Sequence, residues 1–360
     1  MTVEKIFLQH FRNFSQREAE LNGTTLLFGR NGSGKTSVME GLYLLSHGES
    51  FRAGKIDEMV AFDEELARLG VRLVDNASGA DGEADRLEIT LTRGKVQGKR
   101  SPKRLYKIND AGKQRKNFVG QFMAVVFQPE DMRLVEGSPG RRRDFIDSVL
   151  RLVDQQYAQS LHTYEQSLKR LNRFLEQVRE GEQPRSVLKY WELALVKHGQ
   201  IVQARREEFF DFLREMSSPF EFDVRYKISL ISEKDIDARR DRAIAAGYML
   251  VGPHKDDFEV MFAGEGLENR ELSVYGSRGQ QRLGVLWLKL GELKFLEAQR
   301  DEKPLLLLDD IFSELDEESA KLVLKLIGKY QTVITTADED TKEFLEQKLK
   351  DLSVVEMNSK

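Results

Sequence analysis

The sequence contains no cysteine, which excludes disulfide bonds and thiolate-ligated metal sites. Only five histidines are scattered along its 360 residues, which leaves little for a structural zinc site. No apolar run approaches the length of a membrane span. The first residues, MTVEKIFLQHF, lack the basic, apolar and cleavage regions of a signal peptide. These absences predict a cytoplasmic protein with no membrane partner.

An excess of basic charge is also missing, because the formal net charge is −4. This excludes a uniformly basic nucleic-acid binder, so any DNA surface has to be local. Hydrophobic residues make up 40% and charged residues 32% of the chain, as in ordinary globular proteins. The length is sufficient for one large domain or two medium domains with a well-buried core.

Strand patterns dominate both ends of the chain and helical patterns dominate its middle. Alternating or short apolar segments predict strands at residues 3–8, 25–28, 68–75, 86–93 and 104–109. One helix is predicted from Ser37 to Ser46, and strand–helix alternation returns from Val251 onwards. We therefore expect an α/β fold whose two parts, residues 1–127 and 251–360, meet in space around a helical insert at residues 128–250.

The insert carries a heptad pattern that predicts one long helix. Ser138 and Pro139 suit the N-cap and the first helical position. At ~1.5 Å per residue the helix would be about 50 Å long. Residues 180–186 break it, and a second helix is predicted from Val187 to about Met216. The two helices predict an antiparallel hairpin, or arm, although a bundle packed for stability alone fits the same seam. The apolar seam consists of Ile146, Leu150, Val153, Tyr157, Leu161, Tyr164, Leu168, Leu171, Leu175 and Val178.

A glycine-rich loop between a predicted strand and a predicted helix matches the phosphate-binding pattern G-x-x-x-x-G-K-[ST] in full. Its backbone N–H groups and the helix dipole would hold phosphate oxygens. Lys35 would neutralise the β- and γ-phosphates, and the Thr36 hydroxyl would ligate Mg²⁺. The loop consists of Gly29, Arg30, Asn31, Gly32, Ser33, Gly34, Lys35 and Thr36.

A second element completes a nucleotide site in the sequence. Four leucines at residues 305–308 predict a buried strand that ends in two carboxylates. Asp309 is placed to hold Mg²⁺, and Asp310 is placed to orient or deprotonate the attacking water. The two elements together predict an ATPase that uses ATP and Mg²⁺.

Further motifs resemble those of the ABC ATPases. Ser277, Gly279 and Gln280 match the signature motif, which in that superfamily contacts the γ-phosphate bound by a second subunit. Gln128 matches the Q-loop, which implies contact with the metal and the γ-phosphate. Residues 313–316 resemble the D-loop, which crosses the dimer interface. The resemblance implies an ABC-type head that closes into an ATP-dependent homodimer.

Within this superfamily the sequence is most similar to the RecF family, and the resemblance spans nearly the whole chain. It implies weak DNA-stimulated ATPase activity, binding of duplex DNA or single/double-strand junctions, and recombinational repair. The implied partners are the mediators RecO and RecR and, indirectly, RecA. The matching stretches are residues 11–14, 50–52, 127–131, 141–143, 252–257 and 304–316.

The sequence departs from most ABC enzymes at two positions. Asp310 stands where they have Glu, although RecF-like proteins share Asp, and residues 335–338 lack the switch histidine. We therefore predict slow turnover, as in a timer rather than a pump. A transporter ATPase subunit is the alternative, but 242 residues separate Lys35 from Ser277, whereas transporters have about a hundred. An architectural head of the SMC type is a third possibility, for which the arm looks too short.

Several other residues are candidates for ligand contacts. Arg12 is placed to reach ATP phosphates or DNA. His254 with Asp256 and Asp257 suggests a metal site, although a structural turn after Pro253 is the preferred interpretation. The three arginines at 141–143 form a weaker second DNA candidate.

The main DNA candidate is a basic segment from Arg93 to Lys116, which has ten basic residues and one acidic residue. Such a segment suits phosphate contacts without base reading. A solvated loop is the alternative. The residues expected to contact DNA are Arg93, Lys95, Lys99, Arg100, Lys103 and Arg104.

Overall fold

The computed structural model describes residues 1–74, 85–216, 221–264 and 267–357. The strands are β1 Thr2–Phe11, β2 Phe14–Glu20, β3 Thr24–Phe28, β4 Leu66–Val74, β5 Asp85–Thr92, β6 Lys95–Val96, β7 Lys99–Arg100, β8 Arg104–Ile108, β9 Ala111–Lys113, β10 Ala124–Phe127, β11 Phe222–Lys227, β12 Asp257–Gly264, β13 Leu267–Glu271, β14 Leu305–Asp309, β15 Thr332–Thr336 and β16 Leu352–Glu356. The helices are α1 Lys35–His47, α2 Arg115–Phe118, α3 Arg133–Glu136, α4 Pro139–Val153, α5 Gln155–Arg179, α6 Leu188–Glu215, α7 Glu233–Ala246, α8 Leu272–Tyr275, α9 Arg278–Arg300, α10 Glu317–Ile327 and α11 Glu339–Lys348.

The strands predicted in the first third are all present, as β1, β3, β4, β5 and β8. Residue 75, the last of one predicted strand, lies outside the described residues. The predicted helices from Ser37 and from Val187 are confirmed as α1 and α6. In the described part of the chain, no helix has the length and apolar character needed to cross a membrane.

The chain divides into two compact units. A discontinuous unit contains Met1–Asp131 and Leu296–Lys360, and an inserted unit contains Met132–Phe295. This division differs from the predicted one, which placed the end of the insert at residue 250. The difference arises because β12 pairs antiparallel with β11, so the chain after residue 251 continues a sheet of the inserted unit.

The discontinuous unit has two sheets that share one core. A sheet of six strands has the order β2-β1-β4-β5-β8-β9, and a sheet of five strands has the order β10-β14-β15-β3-β16. Helix α1 contacts strands of both sheets, and each of its residues except Thr36 is buried. A helix covered on all sides tolerates apolar residues all round, which is why Val38, Leu42 and Leu45 belong to the shared core.

All pairings in the five-stranded sheet are parallel. Its central strands β14, β15 and β3 are almost completely buried, although β15 and β3 include threonines, as expected for strands that are covered on both faces. The register places Asp309 opposite Thr335, and Thr336 opposite Phe28. Since the carboxyl ends of parallel strands share one edge, the loops after β3, β10, β14 and β15 emerge together, as ligand-binding loops do in open α/β sheets.

The inserted unit contains the helical hairpin, but its first arm is two helices rather than one. Asp154 has extended backbone angles, and its carboxylate accepts a hydrogen bond from the Tyr157 N–H, so it ends α4 and caps α5. The prediction of a continuous helix of about 50 Å was therefore wrong. With 25 residues, α5 is about 37 Å long. Helix α5 packs along α6 as predicted, around Tyr164, Leu171 and Leu195.

A buried arginine connects most elements of the inserted unit. The Arg206 guanidinium, on α6, donates to Asp147 Oδ1 (2.8 Å) on α4 and to Asp256 Oδ2 (3.0 Å) before β12. Asp256 also accepts hydrogen bonds from the Tyr226 hydroxyl and the Ser229 N–H. Because each buried charge has several partners, this cluster avoids the penalty of an unpaired ion. It therefore holds the segment of residues 252–257 in place.

His254 lies in a 3₁₀ turn at residues 253–255, which confirms the preferred interpretation of this segment as a structural turn. Its Nδ1 is 2.6 Å from the Tyr164 hydroxyl, and its Nε2 is 3.1 Å from the Met249 carbonyl oxygen. Burial lowers the pKa of His254 to about 4, so the ring is neutral at pH 7. Nε2 therefore donates to the carbonyl, and Nδ1 accepts from the tyrosine. Among the described residues, no group of three or more histidine, aspartate or glutamate side chains is arranged to hold a metal ion.

Candidate nucleotide-binding site

The loop after β3 is shaped by two glycines with left-handed backbone angles. Gly32 has φ 84° and Gly34 has φ 97°, which L-residues with side chains rarely adopt. A Cβ on Gly34 would lie 2.3 Å from Phe14 Cζ, so no larger residue fits there. Gly34 is the N-cap of α1, and the first N–H groups of that helix lack carbonyl partners within it. The loop is therefore built to receive an anion.

Lys35 reaches back over this loop. Its Nζ donates to the carbonyl oxygens of Gly29 (2.6 Å) and Arg30 (3.1 Å). Burial lowers the pKa of the Lys35 ammonium, and the charges of Asp310 and Asp309 partly oppose that effect. The ammonium is consequently a poorly solvated charge that phosphate oxygens would stabilise.

Asp309, at the end of β14, is placed next to the first turn of α1. Its Oδ1 accepts hydrogen bonds from the hydroxyls of Thr36 (3.2 Å) and Thr335 (2.7 Å). Burial raises the pKa of Asp309, against the opposing effect of the two hydroxyls. A buried carboxylate beside a hydroxyl is the hard oxygen donor set that Mg²⁺ prefers. The residues present thus fit the predicted metal, and Asp309 and Thr36 would be its protein ligands.

Asp310 follows in a left-handed conformation with φ 51°. Its N–H donates to Thr335, at 3.3 Å from the carbonyl oxygen and 3.1 Å from Oγ1. This anchor turns the exposed Asp310 side chain into the same cleft as Lys35. A left-handed residue that is not glycine costs free energy, so the position is consistent with a functional constraint on the loop.

Gln128 lies one residue beyond β10, and the register of Phe127 with Leu308 places it beside Asp309 at the strand ends. Its N–H donates to Asp131 Oδ2 (3.0 Å), which fixes the turn. Among the described residues that line the cleft, Gln128 is absent. The structure therefore brings Gln128 to the correct edge of the sheet without placing it in the cleft wall.

The cleft has a volume of about 750 Å³, within the range of about 300–1,000 Å³ that is usual for ligand sites. It extends from the phosphate loop towards the segment of residues 52–62. Its wall is formed by Arg12, Asn13, Asn31, Gly32, Gly34, Lys35, Thr36, Ser37, Arg52, Asp57, Glu58, Val60, Phe62, Arg93, Asp309, Asp310 and Thr335.

Arg12, predicted to reach ATP phosphates or DNA, lines this cleft, and its guanidinium is already engaged within the chain. It donates from Nε and Nη2 to the two carboxylate oxygens of Glu40 (2.7 and 2.6 Å), which is fully buried on α1. Its Nη1 also donates to the Glu58 carbonyl oxygen (2.6 Å). A bidentate pair with a buried carboxylate is strong and directional. Arg12 is thus an anchor between α1 and the far side of the cleft.

Several residues of the site were not predicted from the sequence, and three of them hold predicted residues in place. Thr335 holds both Asp309 and Asp310, Asn13 donates to the Gly32 carbonyl oxygen (3.4 Å), and Glu40 holds Arg12. Thr335 and Thr336 directly follow the strand predicted at 332–334, and two hydroxyls at the end of a strand are the signal that could have indicated Thr335. A glutamate among the apolar residues of α1 is the signal that could have indicated Glu40.

The predicted signature residues lie in the inserted unit, at the start of α9. The Ser277 hydroxyl accepts from the Gln280 N–H (3.3 Å), and Gln280 Oε1 accepts from the Ser277 N–H (2.8 Å). This reciprocal arrangement is a capping box, which explains the spacing of the two residues. Gly279 lies between them, and Ser277 is exposed. This 23-residue helix thus begins at two exposed residues, Ser277 and Arg278, and the first N–H groups of a helix have no carbonyl partners within it.

The basic segment lies on β6 to β9 and the turns around them, and its side chains fall into two groups. Arg93 is held by carbonyl oxygens of residues 60–64, and Arg115 by Glu49. Arg104 is only partly exposed. In contrast, no ion pair with a described residue is formed by Lys95, Lys99, Arg100, Lys103, Lys107, Lys113 or Lys116, all of which are exposed.

The arginines at 141–143 are largely committed within the inserted unit. Arg142 forms a bidentate pair with Asp257 (2.7 and 2.9 Å), and Arg143 donates to the Asp256 carbonyl oxygen. Of the three, Arg141 is exposed. This group is therefore a poorer DNA candidate than its sequence indicated.

Comparison with known proteins agrees with this geometry. The family described as "RecF/RecN/SMC N terminal domain" matches residues 2–359. A protein of Caldanaerobacter subterraneus subsp. tengcongensis named "DNA replication and repair protein RecF" is 31% identical over 359 residues, which cover 93% of this chain and 94% of that protein. The chain belongs to the RecF family. A Bacillus cytotoxicus RecF of the same description is 30% identical, covering 94% of this chain and 93% of its own length.

Solved structures support the same assignment. "The recombination mediator protein RecF-ATPrS in RecFOR pathway" superposes with a TM-score of 0.83 at 28% identity, covering 94% of this chain and 93% of that one. An Smc head domain of Pyrococcus furiosus gives a TM-score of 0.52 at 16% identity, covering 99% of this chain and 94% of that one, which supports the fold alone. The fold is therefore the RecF/SMC type of ABC ATPase head, a mixed α/β structure with a parallel sheet, as predicted.

Proposed function

We propose that this protein binds ATP and Mg²⁺ in the cleft and uses them to switch a DNA-bound homodimer in recombinational repair. The observation that carries the proposal is the Lys35–Thr36–Asp309 arrangement at the carboxyl edge of the parallel sheet. The family relatives are named as DNA replication and repair proteins, and related structures are of RecF with ATP. Family membership also implies ATP hydrolysis.

Within the cleft, the triphosphate would lie along the glycine loop. Its oxygens would accept hydrogen bonds from the Lys35 ammonium and from the N–H groups at the start of α1. Mg²⁺ held by Thr36 and Asp309, with Gln128 reaching it when the site is filled, would neutralise charge on the phosphates. Asp310 would orient the attacking water, and its short side chain supports slow hydrolysis. The weak ATPase activity would be stimulated by DNA, as the family resemblance implies.

The far end of the triphosphate would be capped by a second copy of the chain. The start of α9 supports this role, because Ser277 is exposed and the positive end of the helix dipole lies there. The capping box holds Ser277 and Gln280 in place without a ligand, so little ordering would be needed on closure. Two chains related by two-fold symmetry would thus enclose two nucleotides.

DNA would contact the exposed lysines and arginine on β6 to β9. The β6–β7 hairpin turns through Gln97 and Gly98, both with positive φ, and presents Lys95, Lys99 and Arg100 at its end. Such charges suit the phosphate backbone of duplex DNA or of a single/double-strand junction. RecO- and RecR-like mediators, with RecA downstream, and a cytoplasmic location complete the proposed setting.

The composite nucleotide site makes a specific prediction about mixed variants. Lys35→Met disables the phosphate loop, and Ser277→Arg disables the cap, so each variant alone should fail to dimerise with ATP in light scattering. In a heterodimer of the two variants one site carries both defects and the other is intact. A one-to-one mixture should therefore regain roughly a quarter of the wild-type sites.

The matched control is Gln159→Arg, which adds the same charge at an exposed position of α5. It should dimerise with ATP as the wild type does. Full ATP-dependent dimerisation of either single variant would contradict the proposal, as would a mixture of the two that recovers no ATPase activity.

A further inference from the structure

An exposed aromatic ring lies on the wall of the nucleotide cleft, beyond the phosphate loop. Phe62 is 93% exposed, yet it belongs to the same cleft as Lys35 and Asp309. It lies in a turn closed by a hydrogen bond from the Glu64 N–H to the Ala61 carbonyl oxygen (3.0 Å). A large ring with so much of its surface exposed inside a ligand cleft is suited to contact a ligand.

The turn is fixed by the guanidinium of Arg93. Nε of Arg93 donates to the Glu64 carbonyl oxygen (3.0 Å), and Nη2 donates to those of Ala61 (3.1 Å) and Phe62 (3.2 Å). One planar group thus holds several consecutive peptide units, which an ammonium on a flexible chain cannot reproduce. The backbone on either side of Phe62 is set before any ligand arrives.

The other side of the turn is held by the first strand. The Ala61 N–H donates to the His10 carbonyl oxygen (2.8 Å), the Arg12 N–H donates to the Met59 carbonyl oxygen (2.8 Å), and Phe11 forms a bridge with Val60. Because β1 also packs on α1, the turn is connected to the helix that starts at the phosphate loop. The exposed ring and the phosphate site therefore belong to one framework.

The cleft is divided chemically along its length. The end at Lys35 is lined by the glycine loop, the Lys35 ammonium and the carboxylates of Asp309 and Asp310, which suit phosphates with Mg²⁺. The other end is lined by Phe62 and Val60, with the carboxylates of Asp57 and Glu58 nearby. An aromatic ring attracts the flat face of a base, and this end lies beyond the glycine loop and the Lys35 ammonium that suit the phosphates. The second end is thus complementary to the nucleoside part of a nucleotide.

We propose that Phe62 is the stacking platform for the base of the bound nucleotide, that it favours purines, and that Arg93 is the positioning residue that sets its orientation. The inference rests on the proposed function, since it assigns a ligand to the same cleft. A purine overlaps a phenyl ring more fully than a pyrimidine does, so stacking selects ATP or GTP over CTP or UTP. Asp57 and Glu58 would accept hydrogen bonds from exocyclic amino groups.

The test compares two ligands that share phosphates and differ in the base. Binding of ATP and of inorganic tripolyphosphate, both with Mg²⁺, is measured by calorimetry for the wild type and for Phe62→Ala. The variant should bind ATP about tenfold more weakly, equivalent to ~1.4 kcal/mol, and tripolyphosphate with unchanged affinity. Phe62→Trp should restore ATP binding, and the wild type should bind ATP more tightly than CTP.

Arg93→Lys examines the positioning role, because it keeps the charge and loses the planar fork. It should weaken ATP binding in the same direction while leaving tripolyphosphate binding unchanged. Tyr190→Ala, which removes another exposed ring (71%) from α6, is the matched control and should change neither affinity.

The outcomes separate the two proposals. If Phe62→Ala binds ATP as tightly as the wild type does, the stacking role is wrong and the phosphate site stands; a partner protein would then be the better explanation for the exposed ring. If the wild type binds neither ATP nor tripolyphosphate, the proposed function fails, and the stacking role fails with it.

Discussion

Protonation of one buried histidine should control the acid stability of the inserted unit. His254 is half-buried and is held between the Tyr164 hydroxyl and the Met249 carbonyl oxygen. Burial is the largest cause of its lowered pKa, and Lys255 and Arg143 add to it, whereas the Met249 hydrogen bond and Asp256 oppose it. Protonation would place a second donor against the tyrosine hydroxyl and a charge in a poorly solvated site.

The direction and the size of this pH effect on the free energy of unfolding follow from the difference between the folded and the unfolded pKa of His254. An unfolded histidine has a pKa of about 6.5, and His254 in the folded chain has a pKa of about 4. Below pH 6.5 the unfolded chain takes up a proton that the folded chain accepts only near pH 4. The stabilisation is therefore complete above pH 6.5 and is lost as the pH falls towards 4, by about 3 kcal/mol in total at ~1.36 kcal/mol per pH unit.

The two tryptophans of the chain provide the assay. Trp191 and Trp287 both lie in the inserted unit, so their fluorescence reports its unfolding in urea. For the wild type, most of the decrease in the free energy of unfolding caused by protonation of His254 should occur between pH 7 and pH 4.5. The His254→Gln variant should not show this decrease, even if it is less stable than the wild type at pH 7.

His162→Gln, which removes an exposed histidine of α5, is the control and should retain the pH dependence of the wild type. Equal pH dependence of His254→Gln and the wild type would refute the reasoning.

Two further predictions concern the DNA surface and the metal site. Reversal of charge at Lys99, Arg100 and Lys103 to Glu should weaken DNA binding and lower the slope of log affinity against log salt by up to about 3; the same reversal at exposed Lys234 on α7 should not, and an unchanged slope for the triple variant would remove the segment from the DNA site. Asp309→Asn removes a carboxylate whose pKa is raised by burial, so its ionisation costs stability above pH 4. The variant should melt at the same temperature as the wild type or higher, yet hydrolyse ATP about 100-fold more slowly; a clear loss of thermal stability with full activity would contradict this.

The elements of the nucleotide site could be predicted because their chemistry is local. A glycine loop between a strand and a helix, and an apolar strand that ends in two carboxylates, each define their own conformation. The parallel register then brings Thr36 to Asp309 across 273 positions of sequence. That register follows from the fold, so the pair was predictable once both strands were recognised.

The sequence-based predictions of the long helix and of the DNA-contacting arginines were less accurate, because each local pattern was compatible with two structures. The heptad seam stays in phase from Val153 to Tyr157, so periodicity gave no sign that Asp154 interrupts the helix. The roles of Arg93 and Arg142 depend on carbonyl and carboxylate groups that are distant in sequence. A charge run shows where cations are abundant, but it does not show which of them already have partners.

The order of strands in the parallel sheet constrains how the protein can be synthesised. Strand β3, which leads into the phosphate loop, has β15 and β16 as its two neighbours. Both neighbours leave the ribosome some 300 residues after β3 does, whereas the inserted unit is continuous and can fold meanwhile. During translation the loop therefore belongs to an unpaired, apolar edge that invites wrong pairing. The nucleotide site can be completed only when the last strands arrive, so a prematurely terminated chain cannot compete with intact copies for nucleotide.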